Sequence, residues 1–196
     1  DYLVFYPEGS SIACAPCCFR SKGSCQLVDP FFYSPPATHL KVGAKWSTIS
    51  AGEQHTCGIS DLGRAHCWGY NGEGQCDLPP FLAARSWISI SAATYHTCGI
   101  LDDTSLYCWG AQNKSAVNVG QVIPIPGQGT YQWRAVSTAI WHTCAVSLEG
   151  KVFCWGCGGR DRLGRTIGVT SIGDNVDKGQ CNVPLEVQEW QAVSVG

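Results

Sequence analysis

An all-β fold of about four stacked, four-stranded repeats is what the sequence predicts, and three observations predict it. The stretches HTCGISDLGRAHCWG (55–69), HTCGILDDTSLYCWG (96–110) and HTCAVSLEGKVFCWG (142–156) share one layout. A short segment alternating β-branched with small residues opens each unit at Trp46, Trp87 and Trp133, and returns at Trp190, giving periods of 41, 46 and 57 residues. Inside each unit two cysteines stand ten positions apart about a turn-like stretch such as Asp61-Leu62-Gly63. Alternation reads as strand, and a layout repeated at periods of this length reads as a modular architecture.

Residues 1–45 form a degenerate, cysteine-rich first repeat: CAPCCFRSKGSC (14–25) shares the Cys-x-x-Cys opening of Cys154 and Cys157, and Gly23-Ser24-Cys25 lines up with Gly74-Gln75-Cys76 and Gly179-Gln180-Cys181. The 46–86 repeat is the cleanest. Its hairpin centres on a three-residue loop whose last position favours a left-handed residue, supplied by Gly63. The 87–132 repeat has Thr104 at that place, so its turn must differ or carry strain. The 133–189 repeat restores Gly150 and carries an insertion. Residues 190–196, WQAVSVG, are an opening strand with no unit behind it, and the 1–45 repeat lacks such a strand. The two gaps match. The terminal strand completes the first blade of a closed β-propeller, or that of a neighbouring copy, or else the chain is cut from a longer array.

In such hairpins the cysteines face each other, which predicts cross-strand disulfides Cys57–Cys67, Cys98–Cys108 and Cys144–Cys154. Each closes a small loop and contributes about 2–3 kcal/mol on chain-entropy grounds. Thirteen cysteines in 196 residues belong to an oxidising compartment, so the chain is expected to be secreted. It starts at Asp1 without methionine, as a processed product or excised piece does, and no apolar run approaches membrane-spanning length. A net charge of −2 leaves no basic footprint for nucleic acid.

From residue 46 onward the units resemble the regulator-of-chromosome-condensation repeat. The residues that carry the likeness are Gly52, His55, Thr56, Gly63, Trp68, Gly69, Asn71, Gly74 and Gln75 in the first clean unit. His96, Thr97, Trp109, Gly110, Gly120 and Gln121 carry it in the next, and His142, Thr143, Gly150, Trp155, Gly156, Gly179 and Gln180 in the last. The resemblance implies a β-propeller, usually of seven blades, whereas this chain has material for about four and adds hairpin disulfides. Nucleotide exchange and chromatin binding, roles of the nuclear member, are not expected of a disulfide-rich, slightly acidic chain. Secreted repeat proteins of bacteria and algae, and the ectodomains of Crinkly-type plant receptor kinases, are closer in style. Those are binding or structural modules.

By analogy between units, Cys157–Cys181 clips the insertion, and Cys25 joins Cys17 or Cys18. Cys14, Cys76 and one of the adjacent pair remain, and because thirteen is odd at least one thiol among the unassigned set of Cys14, Cys17, Cys18, Cys25 and Cys76 is free or bonded to another chain. His55, His96 and His142 precede cysteines by two residues, yet they read as structural hydrogen-bonding partners inside each blade, and no metal or other cofactor is expected. The tryptophans at fixed repeat positions read as packing between blades. Trp141 is off pattern and, with Tyr95 at the equivalent position, is the aromatic expected to face a partner. Asn113-Lys114-Ser115 is an N-glycosylation acceptor.

Nucleophile-elbow, zincin and phosphate-loop signatures are absent, so no catalytic residue is expected. Together these features predict a non-catalytic, extracellular structural or adhesive module in a larger assembly of glycosylated, filamentous type. Its expected partner is a second copy, by strand donation, or another extracellular protein. The alternative is a receptor ectodomain that recognises a peptide, protein or sugar through one propeller face.

Overall fold

The computed structural model describes residues 19–21, 24–26, 45–111, 118–122, 128–157, 178–184 and 189–196. In chain order, β1 (Phe19–Ser21) and β2 (Ser24–Gln26) pair antiparallel as a small hairpin. Three three-stranded antiparallel sheets follow: β3 (Trp46–Ala51), β4 (His55–Ser60) and β5 (Ala65–Gly69); β6 (Trp87–Ala92), β7 (His96–Leu101) and β8 (Leu106–Gly110); β9 (Trp133–Thr138), β10 (Thr143–Ser147) and β11 (Val152–Trp155). We call them the Trp46, Trp87 and Trp133 blades. Two short 3-10 turns, Pro80–Leu82 and Gln128–Thr130, are the helical elements among the described residues. No helix there is long and apolar enough to cross a membrane.

The chain is all-β and its sheets are propeller blades, and among the described residues each sheet has three strands where four were expected. In the Trp46 blade the stretch after β5 runs through turns closed by Gly74 N–H on the Asn71 carbonyl (3.1 Å) and Asp77 N–H on the Gly74 carbonyl (3.0 Å). Pro79 and Pro80 then exclude a ladder, since proline has no N–H to give. The segment instead delivers Leu82, fully buried, into the joint with the next blade.

The hydrophobic core lies between blades. Cys57, Ile59 and Leu82 pack with Trp87, Ile90, Leu101 and Trp109 at the first joint. Cys98, Ile100 and Leu106 pack with Trp133, Val136, Phe153 and Trp155 at the second. Edge-to-face ring contacts hold each opening tryptophan: Trp87 to Trp109 at 5.5 Å and Trp133 to Phe153 at 5.6 Å between centroids.

All three hairpins adopt the same turn. Gly63 (φ 73°) and Gly150 (φ 79°) take the left-handed conformation, and so does Thr104 (φ 68°). A β-branched residue there costs on the order of 1–2 kcal/mol. The second of the two outcomes expected of Thr104, strain rather than a different turn, is what the fold contains. Asp103 offsets part of it by accepting the Ser105 N–H at 3.0 Å.

Residues 190–196 form no ladder among the described residues, yet their backbone docks on the Trp133 blade. Trp190 N–H donates to the Gly150 carbonyl (2.9 Å) and Val195 N–H to Ser137 Oγ (3.1 Å), while the Arg134 guanidinium donates to Gln191 Oε1.

Candidate interaction site

The functional geometry of this chain is concentrated at the blade joints. His55 Nε2 lies 2.8 Å from Thr97 Oγ1, and the Thr97 hydroxyl donates to the Gln75 carbonyl at 2.9 Å. One joint further on, His96 Nε2 lies 2.8 Å from Thr143 Oγ1, which donates to the Gln121 carbonyl at 3.0 Å. A hydroxyl has one proton, and here the carbonyl takes it; the imidazole Nε2 must therefore carry a hydrogen and donate to the threonine. That fixes the tautomer and leaves Nδ1 of His55 and His96 as bare, buried acceptors without a partner.

The His-Thr pair expected to act inside each blade thus acts across blades. Histidine of one blade holds threonine of the next, through the main chain of the Gly-Gln turn between them. The Gln75 carbonyl also accepts Trp109 Nε1 at 3.0 Å. Buried Gln75 closes its own turn by accepting Glu73 N–H (2.9 Å) and ties it across by donating to the Thr94 carbonyl (3.2 Å). Burial holds the His55 imidazole down at about 4 and that of His96 at about 3, where neighbouring His55 and His142 add repulsion; burial lowers His142 as well.

A second relay runs along the opening strands. Ser50 Oγ accepts Ala92 N–H at 2.9 Å and Ser91 Oγ accepts Thr138 N–H at 3.0 Å. Sequence reasoning passed over these serines, although Ser50, Ser91, Ser137 and Ser194 all stand four residues after an opening tryptophan. That constancy was the available signal.

The structure places Cys57–Cys67, Cys98–Cys108 and Cys144–Cys154 as directly opposed strand pairs with Cα separations of 4.1, 4.0 and 4.1 Å, each bonded. Such close approach is characteristic of the non-hydrogen-bonded positions of an antiparallel pair. Cys57 and Cys98 lie under the next blade's threonine, 3.7 and 3.8 Å from its hydroxyl oxygen. Cys157 and Cys181 are also bonded, with Cα atoms 6.1 Å apart.

Cys76 is the one free cysteine among the described residues, and it corrects the expectation that this thiol is open to a second chain. It is buried, its Sγ–H donates to the Tyr70 carbonyl (3.5 Å), and burial with the neighbouring Asp77 carboxylate pushes the thiol up to about 12. A sealed thiol with so little thiolate does not exchange. Its position in the repeat is that of Cys181, but the place of Cys157 is taken by Tyr70. Cys14, Cys17 and Cys18 lie outside the described residues; Cys25 is placed only by its backbone, opposite Arg20 in the β1–β2 hairpin.

Tyr95 and Trp141, from neighbouring blades, are brought together: their rings are 5.4 Å apart, tilted by 42°, and both are half-buried. Gln54, the equivalent in the Trp46 blade, is exposed. The pair leaves an aromatic ledge at one end of the second joint. Asn113 lies outside the described residues. Among the described residues no group of three or more His, Cys, Asp or Glu side chains is arranged to hold a metal ion.

The family model for the regulator of chromosome condensation (RCC1) repeat matches residues 46–75 and 134–161. Curated proteins show no match to this chain. Among solved structures it is similar to human WBSCR16, at 18% identity and a TM-score of 0.52, over 67% of this chain and 38% of that one. It is also similar to the CRINKLY WD40 ectodomain of the Arabidopsis thaliana receptor kinase ACR4, at 25% identity and a TM-score of 0.47, over 58% of this chain and 38% of that one. A third is Prp20p from Saccharomyces cerevisiae, at 20% identity and a TM-score of 0.46, over 58% of this chain and 33% of that one. The chain therefore spans less than half the length of these structures. The family model matches the Trp46 and Trp133 blades, and the same strand register recurs in the Trp87 blade between them, so the chain carries RCC1-type repeats at residues 46–75 and 134–161 within a β-propeller fold.

Proposed function

We propose that the chain is a non-catalytic, extracellular structural or adhesive propeller module that works as part of a larger assembly. The observation that carries this reading is the set of hairpin disulfides, two of them buried at the blade joints, bonds that form and persist in oxidising compartments. The exposed apolar side chains of Trp46 and Ile49 support a protein partner. Glycan at Asn113 belongs to the same reading. A second reading, a ligand-recognition ectodomain, is favoured by the half-buried Tyr95–Trp141 pair, since partly exposed aromatic rings suit a peptide or sugar.

Secretion of the chain from a eukaryotic host, followed by electrophoresis with and without reductant and by light scattering, tests the first reading. Expected are oxidised cysteines, seen as a faster unreduced band, and a native mass above that of one chain. An oxidised monomer that retains a sugar or peptide on a column, and loses it on Trp141→Ala, supports the second reading instead. A chain recovered with its hairpin cysteines reduced contradicts both.

A further inference from the structure

Each hairpin disulfide joins one sealed cysteine to one that is partly open. Cys57 and Cys98, on the middle strands β4 and β7, are fully buried, whereas Cys67 and Cys108, on β5 and β8, are half-buried. Cys57 packs in the first joint with Leu82 and Trp87, and Cys67 only borders that cluster. Cys98 packs in the second with Trp133 and Val136, and Cys108 borders it in turn. Cys157–Cys181 is built differently, with both cysteines buried.

Thiol–disulfide exchange is displacement at sulfur, so its outcome depends on which sulfur an incoming thiolate can reach. The next blade closes off the inner ones: Thr97 Oγ1 lies 3.7 Å from Cys57 Sγ, and Thr143 Oγ1 lies 3.8 Å from Cys98 Sγ. Attack from solvent is therefore directed at Cys67 and Cys108, and the sulfurs that leave are those of Cys57 and Cys98. The same threonines can receive them. The Thr97 hydroxyl gives its proton to the Gln75 carbonyl and accepts from His55 Nε2, which leaves its second lone pair for an S–H donor. Thr143, bonded alike to His96 and the Gln121 carbonyl, offers the same to Cys98. A disulfide sulfur has no hydrogen to give, so this acceptor is used only once the bond has been exchanged.

We propose that Cys67 and Cys108 are exchange sites at which the chain captures an external thiol covalently, with Cys57 and Cys98 as leaving groups held in the joints. At the first site the incoming thiolate forms a bond to Cys67 Sγ, the Cys57–Cys67 bond breaks, and its electron pair leaves on Cys57 Sγ. That sulfur takes up the proton which the incoming thiol shed to solvent, and its S–H then donates to Thr97 Oγ1. One disulfide replaces another, so no oxidant or reductant is consumed. Cys57 stays packed as a thiol and the joint stays closed. Held beside the new bond, it also expels a small thiol again, so a lasting adduct belongs to a partner held by further contacts. The inference rests on the reading of the chain as an assembling module and supplies that reading with a covalent chemistry.

The oxidised full chain is incubated at mildly alkaline pH with glutathione or, in a second arm, with a reduced single-cysteine protein. It is then quenched in acid, blocked with a maleimide before and after unfolding, and mapped by mass spectrometry. Expected are adducts on Cys67 and Cys108, with Cys57 and Cys98 blocked only after unfolding and Cys157–Cys181 intact. Adducts with glutathione alone assign the site to small thiols, and adducts in both arms extend it to protein thiols; either supports it. Thr97→Val removes the acceptor for the leaving thiol, so it lowers the yield at Cys67 about threefold and leaves Cys108 unchanged. A higher yield at Cys67 in that variant means that exchange waits for the joint to open, and overturns the proposal. So do adducts on Cys57 or Cys98, or equal reaction at Cys157–Cys181. An oxidised oligomer that forms no adduct overturns the exchange and leaves the assembling module standing, whereas hairpin cysteines already reduced in the secreted chain overturn both.

Discussion

Thr97→Val destabilises the fold by about 2–3 kcal/mol, and Thr56→Val, the same change in the Trp46 blade, costs less than about 1 kcal/mol. Valine has the shape of threonine without the hydroxyl. At Thr97 its loss strands the buried Nε2–H of His55, and the Gln75 carbonyl keeps only Trp109. Half-buried Thr56 has no histidine bonded to its hydroxyl among the described residues. Denaturant unfolding with the disulfides intact measures both. Equal costs for the two substitutions contradict a joint that is bonded across blades, because a pair working inside its own blade is lost equally at either position. A double-mutant cycle of Thr97→Val with His55→Ala adds the coupling term directly.

Acid weakens the stack well above the pH at which carboxylates protonate. Unfolded imidazoles titrate near 6.5, whereas the folded state holds His55 at about 4 and His96 at about 3. Above the unfolded value both states are neutral and stability is at its full level. Below it the unfolded chain takes up protons that the folded chain refuses, so stability falls with pH until the folded values are passed. Each histidine adds a slope of up to about 1.4 kcal/mol per pH unit in that window. The proton that would be added goes to Nδ1, which has no acceptor near it. Urea unfolding at steps between about pH 7 and 4.5 measures the slope, and His96→Gln, which keeps an N–H donor but does not titrate, lowers it by about one proton. An unchanged slope in that variant contradicts the assignment.

The hairpins were legible from the chain because their determinants are local: cysteines ten apart, a turn with Gly63 or Gly150, and alternation on either side. Thr104 was legible as a conflict, and the fold resolved it by strain, since its carbonyl is held in the repeat's register by the next blade's Trp133 N–H. What the sequence did not disclose was direction across the repeat. His55-Thr56 and His96-Thr97 look identical whether a histidine binds its own threonine or the next one, because the period makes both arrangements equally regular. Only the placement of one blade on another tells them apart.

In the Trp46 blade, where the stretch after the hairpin is fully described, the fourth strand failed for a different reason. Gly74-Gln75 and Pro79-Pro80 were visible, but the buried glutamine that makes the turn worth keeping acts through its main-chain carbonyl, which no side-chain pattern reports. Cys76 shows the limit of analogy between units. It shares its motif with Cys181, yet the partner position holds Tyr70, and the thiol is sealed rather than offered.

Disulfide mapping of the secreted chain tests the central claim, that each blade is a copy stapled within itself by a bond buried at its joint. Free thiols are blocked before and after unfolding, and the unreduced digest is read by mass spectrometry. The account predicts peptides joining Cys57 to Cys67, Cys98 to Cys108 and Cys144 to Cys154, with Cys76 blocked only after unfolding. Hairpin cysteines recovered as free thiols, or joined from one blade to another, would contradict it.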